Sequence, residues 1–206
     1  MPKGSVELTN ARKEEIIAAC AKLYETMSFK EITIKEISKE TSFTRTSIYN
    51  YFQTKEEIFL ALIQKEYELW AADLQVICDE NKAMTKEALA KTLASSLEKR
   101  ERLLKLLSMN HYDMEAESRL ENLVEFKAAY GNSINAVRRL LEKFCSDMGE
   151  KKIQNFIFAF FPFMFGIYPY TAVTDKQKTA MKQAGTYYVT FSIWEIIYEC
   201  VKKLLM

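Results

Sequence analysis

With 206 residues, 49% hydrophobic and 28% charged, the chain has an ordinary soluble composition and is long enough for one or two compact domains with real cores. A net charge of +1 does not by itself mark a nucleic-acid partner, so any such role must rest on where the charges stand. Five glycines and three prolines leave long uninterrupted stretches suited to helix, and the pattern predicts an all-α fold of about nine helices. Cys20, Cys78, Cys145 and Cys200 show no C-x-x-C spacing and read as reduced, buried thiols rather than disulfides or zinc ligands. No charged-then-apolar signal segment opens the chain. The most apolar run, Phe156 to Tyr168, is interrupted by Pro162 and Gly166 and falls short of the roughly 20 residues a membrane-spanning helix needs. A cytoplasmic protein with no membrane partner is expected.

After a tail from Met1 to about Leu8, the stripe Ile16, Cys20, Leu23, Tyr24 and Met27 predicts a supporting helix from about Asn10 to Met27. A short helix then starts at Thr33, where Thr33 and Glu36 form a capping box and Ile34, Ile37 and Thr41 share one side. Thr41, Ser42 and Phe43 make a turn, and a second short helix begins at Thr44. In it Ile48 and Phe52 face inward, while Arg45, Thr46, Tyr49 and Asn50 share the opposite face. A left-handed Ser42 in the turn would cost about 1 kcal/mol relative to glycine.

This spacing is that of a helix-turn-helix, whose second helix needs short polar side chains and a cation at its N-terminal end to reach base edges, with hydroxyls, phenols and lysines on phosphates. Thr33, Lys35, Thr44, Arg45, Thr46, Ser47, Tyr49, Asn50, Tyr51 and Lys55 supply that inventory. Periodicity alone is equally compatible with a helical hairpin whose polar face is merely solvated.

Thr54 with Glu57 is a second capping box and opens a helix to about Cys78, carrying Ile58, Leu62, Trp70, Leu74 and Ile77. We place the domain boundary there, with residues 1–53 as the helix-turn-helix domain and 54–206 as the second. Leucines between residues 85 and 109 predict two further helices. A Ser118/Glu121 box predicts a long helix ending near Met148, which leaves Met109 to Glu117, with the chain's one histidine, as a loop. Helices from Lys151 to about Ile167 and, after a Thr174/Gln177 box, from Asp175 to about Leu205 complete the chain. In the last, Ala180, Ala184, Tyr187, Phe191, Trp194, Tyr198 and Val201 form one apolar face and Ile193, Ile196, Ile197 and Cys200 a second. One face serves the core. The other, with Phe191, Trp194 and Tyr198, beside a preceding helix apolar nearly all round, implies a homodimer in which both helices of each subunit form a four-helix interface, unless both faces are buried within one chain.

From about Asn10 to Ile63 the chain resembles the DNA-binding domain of the TetR family of transcriptional regulators. The resemblance is carried by Tyr24 and Phe29 at the end of the first helix, the run Tyr49, Tyr51, Phe52, and the opening Lys55, Glu56, Ile58, Phe59. It departs from the family at Ser28, Ser42 and Thr46, where glycine is frequent. The resemblance implies a dimer on a near-palindromic double-stranded DNA operator and a C-terminal domain that takes a small-molecule inducer. Trp70, His111, Tyr112, Met114 and Phe126 are candidates for an apolar pocket, as are Tyr130, Phe156, Phe160, Phe163 and Met164. It further implies a repressor more readily than an activator. No cofactor or metal is expected, and with one histidine and no phosphate loop the chain offers no catalytic constellation. A helical interaction module without sequence-specific DNA binding is the alternative.

Overall fold

The computed structural model describes residues 6–109, 111–186 and 189–206. Among them it is all-α, with eleven helices: α1 (Val6–Thr26), α2 (Ile34–Lys39), α3 (Arg45–Ile48), α4 (Lys55–Glu80), α5 (Lys86–Glu98), α6 (Glu101–Leu107), α7 (His111–Ala116), α8 (Leu120–Phe144), α9 (Glu150–Thr171), α10 (Asp175–Gln183) and α11 (Ile193–Leu204). The chain divides into two compact units, one of Met1–Lys65 with Asn110–Ala128 and the other of Glu66–Met109 with Ala129–Met206. The expected boundary after residue 53 therefore falls inside the first unit. Helices α4 and α8 each contribute to both.

In the first unit α1 starts earlier than expected, so Val6 and Leu8 are already helical. It buries Ile16, Ile17, Cys20 and Tyr24 against a core with Ile32, Ile37, Ile48, Phe52, Ile58 and Phe59. The Phe59 ring is the hub, meeting Tyr24 edge-on at 5.4 Å and Phe29 at 4.8 Å. Two expected capping boxes form only by half. Thr33 Oγ1 accepts the Glu36 N–H at 3.3 Å, but the Glu36 carboxylate takes the Thr33 hydroxyl and the Lys39 ammonium instead of the Thr33 N–H. Thr54 Oγ1 accepts the Glu57 N–H at 3.1 Å, while the Glu57 carboxylate reaches one residue further back, to the Gln53 N–H at 2.7 Å. Ser118 does not cap α8 at all; its hydroxyl donates to the Met114 carbonyl at 2.7 Å. That bond closes α7, a helix of 6 residues in the stretch expected to be a loop. Six residues are too few for periodicity to register.

The second unit is built from α5, α6, α9, α10, α11 and the adjoining parts of α4 and α8. Helix α11 packs on α5 and α9, and α6 packs on α9. At its centre the Phe161 ring lies 6.0 Å from Trp70, 5.6 Å from Tyr130 and 6.1 Å from Phe160. The Trp70 indole N–H donates to Ser96 Oγ at 3.0 Å, which donates to the Leu93 carbonyl at 2.8 Å, so the buried polar groups form a closed relay. Helix α9 continues past Pro162 and Pro169 to Thr171, beyond the expected end near Ile167. Each proline deprives the carbonyl four residues earlier of its donor. Those are at Phe158 and Phe165, and all four residues are exposed, so water can replace the lost bonds.

The expected final helix is two helices. The Thr174/Gln177 capping box forms in full and starts α10, but Gly185, at φ 64°, ends it. The Thr186 N–H donates to the Met181 carbonyl at 3.1 Å and the Gly185 N–H to that of Lys182 at 3.3 Å, the two bonds of a Schellman motif. A second full capping box, Ser192 with Glu195, starts α11. The single stripe expected from Ala180 to Val201 is therefore interrupted, and its Tyr187 lies outside the described residues. Replacing Phe161 with alanine is expected to cost about 3–5 kcal/mol, read as a lower urea midpoint at unchanged slope.

Candidate nucleic-acid interface

Helix α3 has only 4 residues, so its start and end are set from outside. Thr44 Oγ1 accepts the Ser47 N–H at 3.2 Å, and the two hydroxyls lie 2.9 Å apart. Beyond Ile48 the turn continues, with the Tyr51 and Phe52 N–H groups both donating to the Ile48 carbonyl at 2.9 and 3.1 Å. Ile48 and Phe52 are buried, which turns Arg45, Thr46, Tyr49 and Asn50 to solvent as the sequence predicts. The Arg45 guanidinium donates to the Tyr49 hydroxyl at 3.2 Å and sits 5.8 Å from its ring centroid. Thr33 and Lys35 are exposed around the start of α2. No non-glycine residue among those described has a positive φ, so Ser42 carries no left-handed strain. Its N–H instead donates to the Glu15 carboxylate of α1 at 2.6 Å, and that bond holds the Glu15 carboxyl below its usual range.

Two expected DNA-facing groups are engaged by the protein itself. The Tyr51 hydroxyl accepts from Arg12 Nη1 at 2.9 Å, and Arg12 also lies 6.0 Å from the Phe43 ring, so Tyr51 is tied to α1. The Lys55 ammonium donates to the Phe29 carbonyl at 2.9 Å and stands 4.1 Å above the Phe29 ring. Lys55 thus braces the turn after α1 instead of projecting as a free cation, because the first turn of α4 faces that turn's unpaired carbonyls.

Sequence reasoning missed Arg119, which stands just before α8 in a stretch with no periodic signal. Its Nε donates to Glu57 at 2.7 Å, its Nη2 to Glu57 at 3.0 Å and to the Tyr51 carbonyl at 3.0 Å, and its N–H to Glu57 at 3.1 Å. Glu57 is 1% exposed. Burial alone would raise its carboxyl pKa, but the Arg119 guanidinium and the Gln53 and Arg119 N–H groups outweigh burial and hold it below the usual range.

The candidate pocket residues divide between the units. His111, Tyr112, Met114 and Phe126 belong to the first, where Met114 and Phe126 are buried and Tyr112 is 83% exposed. Trp70, Tyr130, Phe156, Phe160, Phe163 and Met164 belong to the second. There all but Phe163 pack into or beside the cluster around Phe161, which, like Tyr67, the sequence reading did not single out. Phe163 lines an apolar crevice of about 260 Å³ with Gly166, Ile167, Tyr170 and Ile196. A larger cleft of about 450 Å³ runs between α4 and α5, lined by Val76 and Ile77 as well as by Asp73, Glu80, Lys91 and Ser95. Of the expected dimer residues, Trp194 donates to Ser95 Oγ at 3.0 Å and Tyr198 bonds the Glu87 carboxylate, so both are held on α5 of their own chain. Phe191 is 48% exposed.

Among the described residues no group of three or more His, Cys, Asp or Glu side chains is placed to hold a metal ion, and no single helix is long and apolar enough to cross a membrane.

A family model described as "Tetracyclin repressor-like, C-terminal domain" matches residues 64–198, and one described as "Bacterial regulatory proteins, tetR family" matches residues 16–62. The chain is 32% identical over 63 residues to the uncharacterized HTH-type transcriptional regulator YfiR of Bacillus subtilis (strain 168), a match that spans 31% of this chain and 31% of that relative. Its fold is similar to that of the fatty acid degradation regulator FadR from Bacillus halodurans, at 15% identity, TM-score 0.60, covering 100% of this chain and 97% of that one. It is also similar to FadR from Bacillus subtilis in complex with stearoyl-CoA, at 16% identity, TM-score 0.58, covering 93% and 97%. A third is the repressor FadR of Thermus thermophilus in complex with lauroyl-CoA, at 16% identity, TM-score 0.57, covering 94% and 93%.

The buried Glu57–Arg119 pair has a pH signature. Because the folded Glu57 carboxyl titrates below its ordinary value of 4.5, its contribution is complete above that value and is lost as the pH falls through the lowered one. Glu57→Gln is expected to cost about 1–3 kcal/mol at neutral pH, and the gap from wild type should close only in the acid range below the ordinary value. Urea titrations from neutral to acid pH check this; a gap independent of pH would assign the effect of Glu57 to packing alone.

Proposed function

The chain belongs to the tetR family of bacterial regulatory proteins, and from that premise we propose that it is a ligand-responsive transcriptional repressor that binds a near-palindromic DNA operator as a homodimer. The observation that carries this reading is the joint exposure of Arg45, Thr46, Tyr49 and Asn50 on a capped helix whose inward face is wholly apolar. In the major groove Arg45 is the group suited to bidentate contact with guanine, and Asn50 with adenine. Tyr49, hydrogen-bonded to Arg45 before DNA arrives, lowers the entropy cost of ordering that long side chain. Thr33, Lys35 and Thr46 take phosphates or neighbouring base edges. Thr44 and Ser47 set the start of the helix, and Tyr51 and Lys55 hold its frame.

For dimerisation we favour α9 over α11, since Trp194 and Tyr198 are occupied on α5. The exposed side of α9 carries Phe158, Ala159, Pro162, Phe165, Gly166, Pro169 and Tyr170 at helical spacing, with Phe158 77% and Tyr170 66% exposed. A contiguous aromatic face of this kind is far larger than a lone surface apolar residue and needs a cover. A twofold pair would then present two α3 helices to half-sites about 34 Å apart. The inducer is a hydrophobic small molecule. Because two relatives of the same fold were solved with stearoyl-CoA and lauroyl-CoA, long-chain acyl thioesters are the first compounds to test by thermal shift and by release of DNA.

Selection of duplexes from a random library tests the reading directly, and an interaction module without DNA specificity would enrich nothing. On the enriched duplex, Arg45→Ala is expected to cost about 1–3 kcal/mol and to relax preference at one base pair. Lys35→Ala is expected to weaken all sequences alike and to lower the salt slope by about one. Phe158→Glu is expected to shift the protein toward monomer in sedimentation velocity without loss of helix content; a dimer of unchanged stability would move the interface off α9.

A further inference from the structure

We infer that Arg119 is a positioning residue for DNA recognition, acting from the start of α8 on the end of the α3 turn; this rests on the DNA-binding role proposed above. The segment between α3 and α4 has no side chain deep in the core after Phe52 until Glu57, and what fixes it is polar. The Glu57 carboxylate holds the Gln53 N–H, and the Arg119 guanidinium holds both that carboxylate and the Tyr51 carbonyl, so one planar fork spans residues 51 to 57. Thr54 adds a parallel contact, its hydroxyl donating to the Glu117 carbonyl at 3.3 Å. Among the described residues the ion-pair partner of Glu57 is Arg119.

The arrangement behaves as a latch. Arg119 immediately precedes α8, a 25-residue helix whose later part belongs to the second unit. A shift of the start of α8 by the length of a hydrogen bond would leave Glu57 buried without a countercharge and free the Tyr51 carbonyl. A buried charge deprived of its partner is strongly unfavourable, so intermediate positions are disfavoured and the latch is either closed or open. Closed, it sets the direction in which Tyr49 and Asn50 leave the turn. Arg119 itself makes no claim on DNA.

The test uses the full-length protein and the duplex it enriches from a random library, compared with an unrelated duplex, over a series of salt concentrations. Arg119→Ala is expected to lower affinity for the enriched duplex by about 5- to 150-fold, to leave affinity for the unrelated duplex within about threefold, and to leave the salt slope unchanged. Arg119→Lys keeps the charge but cannot span both acceptors, so it is expected to fall between; it also carries the test if the alanine variant does not fold by circular dichroism. Glu57→Gln added to Arg119→Ala should cause little further loss. A specific-to-unrelated ratio equal to wild type overturns the inference alone, as does a salt slope reduced by about one, which would make Arg119 a phosphate contact. Enrichment of no duplex by the wild type would overturn the proposed function and this inference with it.

Discussion

A carboxylate buried to 1% exposure organises the DNA-binding unit. Left alone Glu57 would be neutral or would pull water inward; with Arg119 and two backbone donors around it, it is charged and fixed. That fixation matters because α3 is too short to hold itself. A helix of 4 residues is below any length at which local propensity sustains it, and inward Ile48 and Phe52, the Thr44 cap and the grip on residues 51 to 57 help define where its outer face points.

Charge placement, not charge total, makes this surface suitable for DNA. Several cations near the helix-turn-helix are neutralised or turned inward: Lys39 by Glu36, Lys22 by Glu40, Arg12 by Tyr51 and Phe43, and Lys55 by carbonyls. Lys35 and Arg45 remain directed outward. For the repressor proposed above, this means few phosphate contacts per subunit, with specificity resting on the side chains that α3 presents.

In the second unit two groups of aromatic residues stand apart. One packs around Phe161 and is sealed by the Trp70–Ser96–Leu93 relay. The other faces outward along α9, on the same side as its two prolines. Both follow from one constraint: a proline in a helix is tolerated where the carbonyl it frees can reach solvent or a partner's surface, so the face that bears Pro162 and Pro169 cannot be the one turned to this chain's own core.

What the sequence by itself determined is whatever local pattern carries: an all-α chain, the helix-turn-helix from Thr33, the inward Ile48 and Phe52 against the outward Arg45, Tyr49 and Asn50, and the Thr174 cap. The break at Gly185 and the Ser192/Glu195 box were also written there, but a continuous apolar stripe outweighed them in the reading. Tertiary structure alone decided that Glu57 bonds Arg119 across 62 positions, that Lys55 braces a turn, and that Trp194 and Tyr198 lie on α5. The physical reason is that helical periodicity reports which side of a helix is apolar, whereas the partner of a long polar side chain depends on how distant segments are brought together, and no spacing along the chain encodes that.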